Sequence, residues 1–343
     1  MVNWVGPEGP ADARLLVVGD FPRWQEVRDG RPFVGAAGKI LEAGFVDTGL
    51  RRDMVLLTHV VGTRPHRDEW TAHGAGDVVQ GMDQLRGLLS VPRTLVIGLG
   101  AVAFFACVTG EAPPASEREV ERQLSKRFGG SITELRGYVF EGPYGSVLAA
   151  IPPAFIARTW LPWRACLTWD LDKAKRLCGD ALLPVRISRQ GGYSDVSQLL
   201  QADALAVDSE EHPDGCVSFA ASAAEGITFP LDTHKDAIAE LLASPVRKVF
   251  QNAQYDLTKF RRYGFQVGGE IEDIMLAWHA KEPLIAGRSE SGTKSTQKSL
   301  RFLASVYTDE PYWKNYNFET AEDKWRLCAT DARVTWEIWK QLR

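Results

Sequence analysis

Residues 204–210 read ALAVDSE, an apolar run that closes on two carboxylates two positions apart. In an extended strand the side chains alternate faces, so Asp208 and Glu210 share one face. The interior of a strand is a costly place for two charges unless something nearby compensates them. A hard divalent cation such as Mg²⁺, which takes oxygen ligands, meets that need. Working outward, GCVSFAAS (215–222) and EGITFPLD (225–232) are further short apolar runs between turn residues, which predicts three sequential antiparallel strands. AIAELLAS (237–244) reads as a helix, KVFQNAQ (248–254) as a fourth strand, and DLTKFRRYG (256–264) as a helix stopped by Gly264. EIEDIMLAWHAKEP (270–283) reads as another helix, and IAGRSESGTKSTQKS (285–299), without periodicity, as a flexible loop. The segment 321–343, AEDKWRLCATDARVTWEIWKQLR, predicts a long amphipathic helix carrying Asp331 beside Val334 and Trp336. Asp256 follows the fourth strand.

Taken singly, any of these acids reads as a helix cap or a surface charge. Taken together, the order AVDSE, NAQYD, ATDARVTWEIW resembles the DEDD 3′→5′ exonucleases, and more closely the proofreading domain of family A DNA polymerases. EDIMLAWH (272–279) resembles the segment between that domain's second and third motifs, and the likeness spans about residues 203–343. The resemblance implies an RNase H-like fold with a mixed sheet. It also implies that Asp208, Glu210, Asp256 and Asp331 are catalytic, holding two Mg²⁺ or Mn²⁺ ions. One ion would generate and orient a hydroxide and the other would stabilise the leaving 3′ oxygen, the pair lying about 4 Å apart. Asn252 and Tyr255 would shape the pocket around the terminal nucleotide, although Asn252 equally reads as a turn residue.

The family places a Tyr four residues before the last Asp, or a His five before it. One helical turn back lies on the same face, so that side chain reaches the attacking water. Here those positions are Leu327 and Arg326, and leucine cannot orient water. Tyr316 and Lys324 are candidates for a replacement by proximity in sequence alone. Arg288, Lys294, Lys298 and Arg301 form the best local basic patch, suited to gripping phosphates or to a solvated loop.

The N-terminal half has a different pattern. ARLLVVGDFP (13–22) is a buried-strand pattern entering a loop after Gly19, RTLVIGLG (93–100) is a second such strand followed by helical AVAFFACVTG (101–110), and VLAAIPPAF (147–155) is a third that breaks at Pro152–Pro153. Strands alternating with helical stretches predict a parallel α/β layer fold. PPASEREVERQLSKR (113–127) is highly charged and predicts a solvated excursion. His66 and His73 fall in a polar stretch and read as surface residues. The Gly/Pro/polar segment 179–195 marks a boundary, giving domains at 1–183 and 191–343.

GDFPRWQEVRDGRPFVGAAGKIL (19–41) places an acid at a strand end, an aromatic in PFVG and a GxxG opening a helix. It resembles the first motif of the family 4 uracil-DNA glycosylases. LTHVVGTRP, LVIGLGAVA, LRGYVF and IPPAFIAR follow that family's order, over about residues 6–178. The resemblance implies a three-layer α/β/α domain with a parallel sheet, in which Phe33 stacks a flipped uracil and Asp20, one methylene shorter than the family residue, helps activate water. Glu26 matches a further acidic position. The chain departs from the family elsewhere: His59 stands where an Asn reads the uracil edge, Pro152 stands where a His stabilises the departing base, and the four iron–sulfur cysteines are missing. Losing one donor aimed at developing charge typically costs about 10²–10³ in rate, so weak or no uracil excision is expected. His59 reads as a core histidine, or as an imidazole supplied from a new direction.

The 343 residues are 45% hydrophobic and 24% charged, ordinary globular proportions. The net charge of −4 means that nucleic-acid binding would rest on local basic patches. No run of about 18 apolar residues spans a membrane and no basic-then-apolar leader opens the chain. Five cysteines, none in a CxxC pair, argue against a disulfide framework or an iron–sulfur cluster and suit the cytoplasm, the host's if the gene is a phage's. The pairing of the halves resembles the N-terminal region of certain phage family A polymerases. The expectation is therefore a metal-dependent 3′→5′ DNA exonuclease in replication or DNA processing, with a degenerate glycosylase-like DNA-binding domain and a polymerase domain or subunit as partner. A uracil or modified-base glycosylase with an accessory nuclease, and a catalytically silent docking protein, are the rivals.

Overall fold

The computed structural model describes residues 4–158, 162–179, 186–211, 213–286, 296–314 and 320–343. The chain divides into two compact units, Met1–Leu182 and Leu183–Arg343.

The first unit runs β1 (Leu15–Gly19), α1 (Trp24–Asp29), α2 (Ala36–Thr48), β2 (Val55–His59), α3 (Ala75–Leu89), β3 (Leu95–Leu99), α4 (Ala101–Thr109), α5 (Glu117–Phe128), α6 (Ile132–Leu135), β4 (Val139–Gly142), β5 (Gly145–Ala150), α7 (Pro153–Arg158) and α8 (Pro162–Leu177). Its sheet has the order β2-β1-β3-β5-β4, parallel except for the β4–β5 hairpin. Strands β1, β2 and β3 are buried throughout, which is why they read as unbroken apolar runs rather than as alternation. Helices α2, α7 and α8 pack together as one group and α4 and α5 as another, giving the three-layer α/β/α arrangement. Two expectations need correction. Residues 113–127 are not a solvated excursion throughout: Ser116 caps α5 by accepting from Glu119 N–H, and the helix buries Val120 and Leu124 under its charged face. His73 is half-buried against Phe21 and Trp70, with ring centroids 5.3 and 5.0 Å away, whereas His66 is exposed.

The second unit runs β6 (Ile187–Gln190), α9 (Tyr193–Leu199), β7 (Ala204–Glu210), β8 (Cys216–Ala220), β9 (Glu225–Pro230), α10 (Lys235–Ala243), β10 (Arg247–Phe250), α11 (Ala253–Arg262), β11 (Ile271–Asp273), α12 (Ile274–Lys281), α13 (Pro283–Ala286), α14 (Leu300–Tyr307) and α15 (Ala321–Leu342). The mixed sheet has the order β11-β10-β7-β8-β9-β6. The three runs read as sequential antiparallel strands are β7, β8 and β9, and β10 joins β7 in parallel. The stretch 270–283 is not one helix, because its first residues pair with β10 as β11 before Asp273 caps α12. Strand β6, which no periodicity announced, adds to the sheet beside β9. One face of the sheet is closed by α15, and Phe219, Phe229, Leu241, Phe250 and Phe260 lie in the core shared with α10 and α11. No helix among the described residues is long and apolar enough to cross a membrane.

Candidate functional site

In the second unit the end of β7 meets α15. Strand alternation buries Ser209 on one face and turns Asp208 and Glu210 to the other, opposite Ser218 and Cys216 of β8. Asp331 enters from the middle of α15, where it is buried. Asp208, Glu210 and Asp331 each offer a carboxylate oxygen, and these oxygens lie within 4.8 Å of one another.

Electrostatics mark the cluster as unsettled without a cation. Burial pushes the Asp208 carboxyl well above the ordinary carboxylate range, and Asp331 and Asp256 add like-charge repulsion. Burial and Asp331 raise Glu210 as well. Asp208 Oδ2 is buried without a hydrogen-bond partner. A buried acceptor left unpaired costs about 1–3 kcal/mol, more when charged, so this oxygen calls for a ligand. Three hard oxygen donors with one orphaned atom fit a divalent cation.

Asp256, the fourth expected ligand, stands outside that set. It is buried near the start of α11, where its Oδ1 accepts from the Ser209 hydroxyl. Its carboxyl is pushed up to about 6, burial outweighing the Ser209 bond. Lys259, one turn along α11, donates to Ser209 O at 2.6 Å and lies 4.6 Å from the Tyr255 ring centroid. Tyr255, the residue before Asp256, is 56% exposed. Asn252 precedes α11 with φ +66°, a left-handed conformation that Asn tolerates better than most residues. The turn is locked by Asp273, which accepts from Asn252 N–H at 3.1 Å and from Ala253 N–H at 2.8 Å.

At the positions where the resemblance puts a water-positioning side chain, Leu327 is buried and Arg326 points outward to Glu322 at 3.1 Å. Lys324 is bonded elsewhere and acts on Glu210 only through its charge. Its ammonium is held by the carbonyls of Glu211 and of Pro213, the latter at 2.7 Å. Tyr316 lies outside the described residues, as do Arg288 and Lys294 of the expected basic patch. Of the other two members of that patch, Lys298 is half-buried and its carbonyl accepts from Gln251, while Arg301 bonds the Tyr312 hydroxyl at 3.1 Å. Sequence reasoning missed Trp313 and Lys314. Trp313 Nε1 donates to Asp331 Oδ1 at 2.6 Å, and Lys314 Nζ pairs with Asp331 Oδ2. Burial opposes the charge on Lys314, but Asp331 outweighs it and holds the ammonium above the ordinary lysine value. The WK pair carried no spacing relative to the acids that could have flagged it.

In the first unit the parallel strands end together. Gly19 of β1 is in register with His59 of β2, and Leu99 of β3 with Ala150 of β5, so Asp20, His59, Gly100 and Pro152 gather at the carboxyl edge of the sheet, where open α/β sheets place their ligands. Asp20, Glu26, Phe33, His59 and Pro152 line one small cavity of about 50 Å³. Asp20 Oδ1 accepts from Ala103 N–H at the start of α4 at 3.0 Å, but burial dominates and pushes its carboxyl up to about 7. Glu26 Oε2 accepts from Arg23 N–H at 2.6 Å, while Oε1 accepts from Phe33 N–H and lies 3.2 Å from His59 Nε2. Burial works against the charge on Glu26, yet His59 and the two backbone donors together hold its carboxyl below the usual range. Phe33 sits at φ +55°, and the GxxG packing is required there, since a Cβ on Gly38 would fall 1.9 Å from Phe33 O. The His59 ring lies against Phe33, centroids 4.7 Å apart and planes tilted by 36°. Its Nδ1 is buried without a partner over Gly19, where a Cβ would come within 2.8 Å of it.

Residues 7–171 match the family model of the Uracil DNA glycosylase superfamily. The type-4 uracil-DNA glycosylase of Thermotoga maritima is 29% identical over 175 residues, covering 50% of this chain and 82% of that protein. The type-4 enzyme of Pyrobaculum aerophilum is 35% identical over 103 residues, covering 28% of this chain and half of its own length. Among solved structures, the EXD2 exonuclease domain soaked in Mg and GMP is similar over 46% of this chain and 91% of its own, at 19% identity and a TM-score of 0.23.

Proposed function

We propose, from the premise that the N-terminal unit is a domain of the uracil-DNA glycosylase superfamily, that this chain is a divalent-metal-dependent 3′→5′ DNA exonuclease whose N-terminal domain serves chiefly to bind DNA. The carrying observation is the meeting of Asp208, Glu210 and Asp331 within 4.8 Å, with one buried Asp208 oxygen left orphaned. These carboxylates would hold Mg²⁺ or Mn²⁺, which when bound lowers the pKa of water and neutralises charge at the phosphodiester. Tyr255 offers a face for the terminal base, with Asn252 at the adjoining turn. Lys298 and Arg301, with Arg288 and Lys294, are proposed to meet the DNA backbone. Direction of hydrolysis, a proofreading or processing role in phage replication, and a polymerase domain or subunit as partner rest on the sequence resemblance.

The test is incubation of 3′-labelled single-stranded and mismatched primer DNA with Mg²⁺ or Mn²⁺. Wild type is expected to yield a metal-dependent ladder that Asp208→Ala abolishes. An unchanged ladder in the variant, or none with either metal, would sink the proposal.

Base excision is the second reading, favoured by the family match and by the cavity that brings Asp20 and Phe33 together. Against it, Pro152 has no side-chain donor, and the His59 imidazole covers the Phe33 face on which a base would stack. Excision from uracil-containing DNA is therefore expected to be weak or absent. Abundant alkali-labile cleavage that is lost in Asp20→Ala or Phe33→Ala would reverse the ranking.

A further inference from the structure

We infer that Lys314 is the second cation of the nuclease site, so that the site binds one divalent ion rather than two; this rests on the exonuclease reading above. The argument begins with charge. Among the groups in direct contact, Asp208, Glu210 and Asp331 bring three negative charges and Lys314, paired with Asp331, brings one positive charge, while Lys259 and Lys324 act on Glu210 from outside the cluster. The remainder within the cluster is the charge that one divalent ion neutralises. The fourth acid does not restore a two-ion site. Asp256 is turned to the Ser209 hydroxyl, and Lys259 on the same helix compensates its charge.

The placement of Lys314 is built in. The neighbouring Trp313 is buried, and its indole N–H donates to the other oxygen of Asp331 at 2.6 Å, which fixes the segment against α15. Both Asp331 oxygens are thus engaged by the Trp313–Lys314 pair, while the orphaned oxygen belongs to Asp208. Asp208 and Glu210 would therefore be the main holders of the ion, with the Lys314 ammonium supplying positive charge on the Asp331 side. A protonated amine there supplies positive charge where it develops on the reacting phosphate. Leu327, one turn before Asp331 on α15, offers no polar group there.

The experiment titrates Mn²⁺ into the full chain, reads stoichiometry by calorimetry and by the loss of free-Mn²⁺ EPR signal, and assays primer hydrolysis in parallel. Wild type is expected to bind one ion, Asp208→Asn none, and Lys314→Met a second. Hydrolysis at saturating Mn²⁺ is expected to fall about 10²-fold in Lys314→Met and to be largely kept in Lys314→Arg. Lys314→Gln replaces the Met variant if that protein lacks a cooperative melt. Two ions in wild type, or a lysine-free variant that still binds one ion and hydrolyses at full rate, would overturn the inference and leave the exonuclease reading standing. Mn²⁺ binding and hydrolysis indifferent to Asp208→Asn would overturn the reading itself.

Discussion

Asp208 carries a cost that Lys314 offsets only in part in the metal-free protein. Its carboxyl is raised by burial and by the like charges of Asp331, Asp256 and Glu210, and one oxygen has no partner. Asp208→Asn is therefore expected to raise the stability of the metal-free protein at pH 8 while abolishing metal binding, measured by urea unfolding in EDTA. A loss of stability would contradict the burial argument. Asp20 makes a prediction with a pH window. Burial pushes its carboxyl from the ordinary aspartate value of 3.8 up to about 7. Between those values the native state holds a proton that the unfolded chain has released, so stability falls as pH rises from about 4 to about 7 and is flat above. Asp20→Asn removes that decline, and its melting temperature should exceed wild type at pH 8 and match it at pH 4. At His59 and Pro152 the chemistry is replaceable in principle. The double change His59→Asn and Pro152→His is expected to uncover the Phe33 face and raise uracil excision at least about 10²-fold; an unchanged rate would place the defect elsewhere.

At the scale of elements, α15 is the part on which the proposed metal site depends. It lies against β7, β8 and β9, and it approaches Gly226 of β9 closely, since a Cβ there would come within 2.0 Å of Ala329 O. Gly226→Ala must push the helix off the sheet at a cost of about 1–3 kcal/mol, as overpacking does. Because Asp331 rides on the same helix, Mn²⁺ affinity should fall with stability. A variant that loses stability but keeps full affinity would uncouple the two. The same scale shows where one-dimensional reading succeeded and where it failed. The strands β7, β8 and β9 were legible because each is a short apolar run between turn residues. Helix α5 was not, because Val120 and Leu124 are a thin apolar stripe in a strongly charged stretch. Strand β11 was not, because three residues leading directly into a helix have no period of their own.

The whole molecule is two compact units, each with its own sheet and core. Calorimetry should therefore resolve two transitions, and Mn²⁺ at about 100 times its Kd should raise the one belonging to the second unit by the equivalent of about 2.7 kcal/mol while leaving the other in place. A shift of both would argue that the units unfold together. From the sequence and the family resemblances it carries came the class of each half, an α/β parallel sheet followed by a mixed sheet, together with the candidate acids and the candidate glycosylase-like pocket residues. Apolar periodicity and motif order are local properties, and they survive in one dimension. Only the tertiary structure decided that Asp331 shares its carboxylate with Trp313 and Lys314, that Asp256 turns to Ser209, and that His59 covers Phe33. Those outcomes depend on which side chains reach one another across packed elements, and neither charge nor spacing along the chain encodes that distance.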